Sequence, residues 1–161
     1  MTATARARSF GEAEIDLIRI LDAPRDLVFK VWTEPKHMAQ WWGPRGFTNP
    51  VCKLDLRVGG AILIHMRAMD GTVYPMTGTF RDVVVPERLV FTAVVEDFEG
   101  RPLIEALITA TFEDYGGKTK LTVHEKAVGV APVAVQMLAG MEAGWAQSLV
   151  RLDAAVSQAD S

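Results

Sequence analysis

The feature that most constrains the fold is a long amphipathic segment near the C-terminus, from Val133 to Leu152. Large apolar side chains recur in it at the three- and four-residue spacing of one helical face, at Met137, Met141, Trp145, Leu149 and Leu152. Pro132 stands where a helix tolerates proline in its first turn. We expect one continuous helix from Pro132 to Val156, about 37 Å long at a rise of about 1.5 Å per residue.

Small residues interrupt this helix at Gly140, Ala143, Gly144 and Ala146. Glycine costs about 1 kcal/mol relative to alanine in a helix interior. Small side chains let another backbone approach closely, or leave room beside the Met and Trp side chains. The pattern therefore indicates a gap between the helix and the layer that it covers.

Upstream of the helix, six consecutive segments with strand-like apolar patterns are separated by turn signals, as is typical of an antiparallel sheet. They cover residues 51–56, 61–68, 72–85, 89–96, 103–113 and 119–126. A first strand at 15–21 precedes them, followed by two short helices, Arg25–Thr33 and Met38–Trp42. The predicted class is α+β, with a curved antiparallel sheet of about seven strands around the C-terminal helix.

Composition describes one globular domain. With 161 residues, 49% hydrophobic and 23% charged, the chain is not disordered, and we divide it into a flexible arm, 1–12, and a domain, 13–158. The net charge of −3 argues against nucleic-acid binding. No apolar run approaches the roughly 20 residues of a membrane helix. A single cysteine, Cys52, excludes an internal disulfide, so we expect a cytoplasmic protein.

The titratable residues form no recognised catalytic or metal-binding pattern. His37, His65 and His124 lack metal-ligand spacing, and we expect no metal, no cofactor and no assigned catalytic residue. Glu105 alternates with Leu103 and Leu107, and we count it among the cavity residues, where burial would raise its pKa and make it a candidate acid or base. The alternative is that it lies at a sheet edge or at the cavity mouth. If Leu121 and Val123 face inward, alternation places Glu125 on the same face.

The aromatic and methionine residues are the more informative group. The residues that we expect to face the gap and bind a ligand are Trp42, Ile64, Met66, Tyr74, Met76, Phe80, Glu105, Met137, Met141 and Trp145. Methionine adapts to varied apolar shapes, and a tyrosine hydroxyl can orient a ligand. The alternative is that these side chains pack against one another as ordinary core. Of the adjacent Trp41 and Trp42, we expect only one to point inward.

Several motifs together resemble a known superfamily. The segment 23–33, APRDLVFKVWT, resembles the opening of the helix-grip superfamily, which includes the START and Bet v allergen-like (SRPBCC) proteins. A narrower resemblance, to homologues of the C-terminal domain of the heat-shock protein 90 ATPase activator, rests on further motifs. These are QWWGP at 40–44, Gly59-Gly60, Asp70-Gly71 with Tyr74 and Gly78, PERLVFT at 86–92, and Gly144-Trp145 with Leu149.

The resemblance implies a curved sheet that grips the C-terminal helix around an apolar cavity, but it fixes no function. The eukaryotic activator also carries a separate N-terminal chaperone-binding domain, for which 161 residues leave no room, so the sequence argues against a chaperone partner. We favour binding of a small apolar or aromatic ligand. The alternatives are a cyclase- or hydrolase-type enzyme, and a cochaperone-like module using a surface near Trp41 and Trp42. A homodimer is compatible with this fold.

Overall fold

The computed structural model describes residues 10–159. Its elements are β1 (Glu12–Leu21), α1 (Arg25–Thr33), α2 (Pro35–Trp41), β2 (Thr48–Leu54), β3 (Ala61–Arg67), β4 (Val73–Val84), β5 (Arg88–Glu96), β6 (Pro102–Tyr115), β7 (Lys118–Gly129), α3 (Ala134–Ala139) and α4 (Met141–Ala159). The predicted α+β fold, with seven strands and two short helices after the first, is confirmed. Residues 1–9 of the predicted arm lie outside the described residues.

All seven strands form one antiparallel sheet in the order β1-β7-β6-β5-β4-β3-β2. The first strand therefore pairs with the last, with Ile15 opposite Glu125 and Leu17 opposite Val123. This strand begins at Glu12 and not at Ile15, because the preceding backbone is already bonded to β7. The Phe10 amide donates to the Gly129 carbonyl at 2.9 Å, and Gly129 donates to Gly11.

The concave face of the sheet forms one side of the core. Ile64, Phe91, Ile108, Leu121 and Val123 are all at most 3% exposed on this face. Alternation sends the intervening side chains to the outer face, which is the side exposed to solvent in an antiparallel sheet with one covered face. The sheet therefore offers one continuous apolar surface to the helices.

The C-terminal helix is not continuous, so the prediction of a single rod from Pro132 to Val156 was wrong. The chain breaks at Gly140, which has φ −93° and ψ 1°. Glycine stabilises a helix poorly, and the two pieces pack on different partners. Ala134 and Leu138 of α3 form a small cluster with Ile104 and Ala127, whereas α4 packs in the main core.

Helix α4 runs over 19 residues, which corresponds to about 28 Å. Its buried residues include Trp145, Leu149, Leu152 and Val156, which lie on one face as the periodicity predicted. Within residues 10–159, no helix combines the length and the hydropathy needed to cross a bilayer.

Candidate functional site

A pocket of about 380 Å³ lies between the concave face of the sheet and the start of α4. The sheet, the loop after α2, helix α3 and the first turns of α4 all contribute to its walls. Its volume is within the range of roughly 300–1,000 Å³ that is usual for small-molecule sites. The lining is predominantly apolar, with Tyr74, Glu125, Gln136 and Ser148 as its polar side chains.

The structure brings together most of the residues predicted to face the gap. Seven of them line the pocket: Trp42, Met66, Tyr74, Met76, Met137, Met141 and Trp145. Ile64 and Phe80 lie on the same face of the sheet but border a second space of only about 10 Å³. Because both are at most 3% exposed, they belong to the packed core beside the pocket.

The expectation that Glu105 reaches the interior was wrong. Its side chain is exposed, and the residues of β6 that line the pocket are Ile104, Ala106 and Ile108. Both alternating sets of β6 contain apolar residues, so hydropathy alone does not set which face is inward. The set that faces inward is Ile104, Ala106 and Ile108. Leu107, which shares a face with Glu105, is 42% exposed.

The acid in the pocket is Glu125 on β7, which is 8% exposed. Its Oε1 accepts a hydrogen bond from the indole nitrogen of Trp145. Burial raises the pKa of Glu125, and the hydrogen bond from Trp145 opposes this effect in part. Alternation had placed Glu125 on the inner face, but nothing local in the sequence joins it to Trp145.

The adjacent tryptophans correct a second expectation, since both are buried, Trp41 at 0% and Trp42 at 6%. Trp41 ends α2 and donates its indole N–H to the Val31 carbonyl at 3.1 Å. Trp42 is the C-cap of α2 and has an extended backbone, so its ring points in a different direction from that of Trp41. It packs edge-on against the ring of Trp145, with the ring centroids 5.4 Å apart. The exposed tryptophan surface postulated for a cochaperone-like contact is therefore absent here.

One wall of the pocket comes from the loop after α2, through Gly43, Pro44 and Phe47. Arg151 on α4 holds this loop, because its guanidinium donates to the carbonyls of Gly43 and Pro44 at 2.8 and 2.9 Å. Burial lowers the pKa of Arg151. Sequence reasoning missed this wall, since the arginine and the loop are more than a hundred residues apart.

The histidines lie away from the pocket lining. His124 is on the outer side of β7, where Nδ1 lies 2.8 Å from Asp16. His37 lies 3.4 Å from Glu34. Across residues 10–159, no cluster of His, Cys, Asp or Glu is arranged to hold a metal ion. Burial raises the pKa of Cys52 to about 11, so this thiol is a poor nucleophile.

The seven-stranded sheet, the helix packed across it and the pocket between them define a helix-grip protein. Residues 22–157 match the family described as Activator of Hsp90 ATPase homolog 1-like protein. The chain belongs to this family, which confirms the resemblance inferred from its motifs. No curated protein matches the chain significantly.

Solved structures agree with this assignment. A protein from Chromobacterium violaceum is 29% identical to this chain. The match covers 89% of this chain and 96% of that protein, with a TM-score of 0.72. One from Rhizobium leguminosarum has 26% identity, coverages of 92% and 96%, and a TM-score of 0.75. The AHSA1 protein from Silicibacter pomeroyi has 25% identity, coverages of 91% and 99%, and a TM-score of 0.75.

Proposed function

We propose that the protein binds a small apolar or aromatic molecule in the pocket between the sheet and α4. The observation that carries this proposal is the pocket of about 380 Å³, partly open to solvent, beside an otherwise well-packed core. Small residues stand where larger ones would close it, with Ala93 and Ala106 on the sheet and Gly140 and Gly144 on the helical side. A pocket of this volume with a predominantly apolar lining has the size and character of a small-molecule site.

Apolar burial supplies the affinity. A ligand that buries about 250 Å² of apolar surface gains about 6 kcal/mol from that burial, part of which offsets the translational and rotational freedom that it loses on binding. The methionines in the lining, Met66, Met76, Met137 and Met141, adjust their side chains to ligands of different outline. This arrangement favours a range of related apolar molecules over one exact shape.

The lining favours binding over catalysis. It contains one serine, Ser148, and no histidine, while Glu105 lies on the outer face. Its one carboxyl, Glu125, is hydrogen-bonded to Trp145 and not to Ser148. A serine nucleophile needs a general base within hydrogen-bond reach. The polar groups in the lining are therefore assigned to orienting the ligand.

The test uses N-phenyl-1-naphthylamine, a neutral probe whose fluorescence rises in apolar surroundings. We expect saturable binding to the wild-type protein and loss of that binding in Gly144→Phe. A Cβ on Gly144 would contact only Pro44, at 3.9 Å, so the new ring has room to enter the pocket.

Ala143→Phe is the matched control, because Ala143 is the exposed neighbour of Gly144 on the same helix and is not part of the lining. This variant should bind the probe like the wild type. Absence of saturable binding to the wild type, or equal loss in both variants, would contradict the proposal.

A further inference from the structure

Glu125 is an acid without a counter-ion in the apolar pocket. Its Oε1 accepts the indole N–H of Trp145, whereas no hydrogen bond from residues 10–159 reaches Oε2, which is not fully buried and is accessible from the pocket. The pocket lining contains no lysine, arginine or histidine. Because Oε2 has no donor from the protein and Glu125 lines the pocket, this oxygen is available to a donor group of a ligand.

Glu125 is the one carboxyl group in the pocket lining, and its neighbours are mostly apolar. The residues opposite it on β1 and β6 are Ile15 and Ile108. From the helical side, Trp145, Ser148, Met141 and Gln136 line the pocket, and none of them ionises in the physiological range. Tyr74 on β4 is the other titratable side chain in the lining.

The aromatic lining also suits a positive charge. Trp42, Phe47, Tyr74 and Trp145 surround the pocket, and the faces of aromatic rings attract ammonium groups. Trp145 fixes the carboxylate through its hydrogen bond, so the charge of Glu125 is held in one orientation. An acid and several rings around one apolar space form a recognition site for an amine.

We propose that the ligand carries a protonated amine, which binds Glu125 Oε2 while its apolar body fills the space beneath α3 and α4. This inference rests on the proposed function, since it names the polar group of the ligand that the pocket would hold. A charge-assisted hydrogen bond in an apolar site is about twice as strong as a neutral one. The amine therefore binds more tightly than an uncharged molecule of the same shape.

The experiment compares 2-(1-naphthyl)ethylamine with 2-(1-naphthyl)ethanol, two molecules that differ in the amine and hydroxyl groups. Each displaces N-phenyl-1-naphthylamine from the wild-type protein at pH 8. We expect the amine to bind about tenfold more tightly than the alcohol. A ratio near one, or a preference for the alcohol, would overturn the inference while leaving the proposed function intact, because the probe itself would still bind.

Two variants test the role of the carboxylate. Glu125→Gln should reduce the amine-to-alcohol affinity ratio to about one, whereas Glu105→Gln, the same exchange on the outer face of the sheet, should keep the wild-type ratio. An unchanged ratio in Glu125→Gln would overturn the inference. The ratio within each protein is compared, because the exchange at Glu125 also changes the pocket itself.

A wild-type measurement keeps the inference falsifiable if Glu125→Gln does not fold. The amine stays protonated from pH 4, below the usual glutamate pKa, to pH 8, since aliphatic amines have a pKa of about 10. Its affinity should rise with pH as Glu125 ionises, whereas that of the alcohol should not. An amine affinity that is flat across this range would contradict the assignment to Glu125.

Discussion

The space between the sheet and α4 has two ends that the chain fills differently. At the packed end, large side chains interlock: Phe29, Trp32, Trp41, Phe112, Leu149 and Leu152 are all at most 4% exposed. The ring of Trp32 contacts those of Trp41 at 4.7 Å and Phe112 at 5.6 Å. At the open end, Met137, Met141 and Gly144 face the pocket.

The difference between the two ends shows how one helix can both stabilise the core and line a pocket. Rigid rings and leucines at the packed end supply the burial that stabilises the sheet–helix contact. At the open end, glycines and methionines bury less apolar surface over a few residues, which leaves the pocket unfilled. Trp145 lies between the two ends. Its ring stacks on that of Trp32 with the centroids 6.2 Å apart, and its indole N–H donates a hydrogen bond to Glu125.

The largest expected effect is at the packed end. Trp32→Ala removes a ring that is 1% exposed and should lower the free energy of unfolding by about 3–5 kcal/mol. Met137→Ala changes a residue at the open end, where the space beside the side chain is already partly unfilled. It should lower the free energy of unfolding by only about 1 kcal/mol. Urea denaturation measures both. Equal losses would show that the two ends do not differ in packing.

The next effect is at the boundary between the ends. Trp145→Phe leaves Glu125 Oε1 without its donor, at a cost of about 1–3 kcal/mol, and raises the pKa of Glu125 further. Trp32→Phe is the control, since its indole N–H is buried without a partner among residues 10–159. A similar loss in both variants would show that the hydrogen bond does not stabilise the fold.

The burial of Glu125 predicts a smaller, pH-dependent effect. Because burial raises the pKa of Glu125, the unfolded chain loses this proton at lower pH than the folded protein. Stability contributed by the protonated form is therefore present below the usual glutamate pKa and is lost as pH rises through the folded pKa. Glu125→Gln should match the wild type at acid pH and exceed its stability at pH 8. Parallel stability–pH curves would contradict this.

The smallest effect is a gain at the open end. Gly144→Ala should raise the free energy of unfolding by about 0.5–1 kcal/mol, because alanine favours the helix and its Cβ meets only Pro44. Gly60→Ala is the opposite case, since a Cβ there would lie 1.9 Å from the Asp55 carbonyl. Thermal unfolding of the two variants should therefore shift in opposite directions, and a loss in Gly144→Ala would mean that this position tolerates no side chain.

Periodicity predicted the helical side of the site better than the sheet side. Met141 and Trp145 share a face of α4, and Met137 on α3 lines the same pocket despite the break at Gly140, so their spacing sufficed. On β6, residues of both alternating sets are apolar, and pairing with β5 and β7 decides which set is buried. That pairing is a long-range property, which is why Glu105 was placed on the wrong face.

Other features depended on backbone detail. The break at Gly140 follows from α3 packing against β7, where a Cβ on Gly129 would lie 2.7 Å from that of Ala134. The burial of both Trp41 and Trp42 depends on the extended cap at the end of α2. The motifs nevertheless identified the family, because their joint order reflects the whole fold.

The most direct test of a ligand site at the open end is methyl NMR of methionine-labelled protein titrated with N-phenyl-1-naphthylamine. The account predicts shifts of the Met66, Met76, Met137 and Met141 methyl signals, which come from the pocket lining. Met38, packed in the core at 4% exposure, and Met69, 84% exposed on the surface, should stay unchanged. Shifts confined to Met69, or spread equally over these six of the seven methionines, would contradict the account.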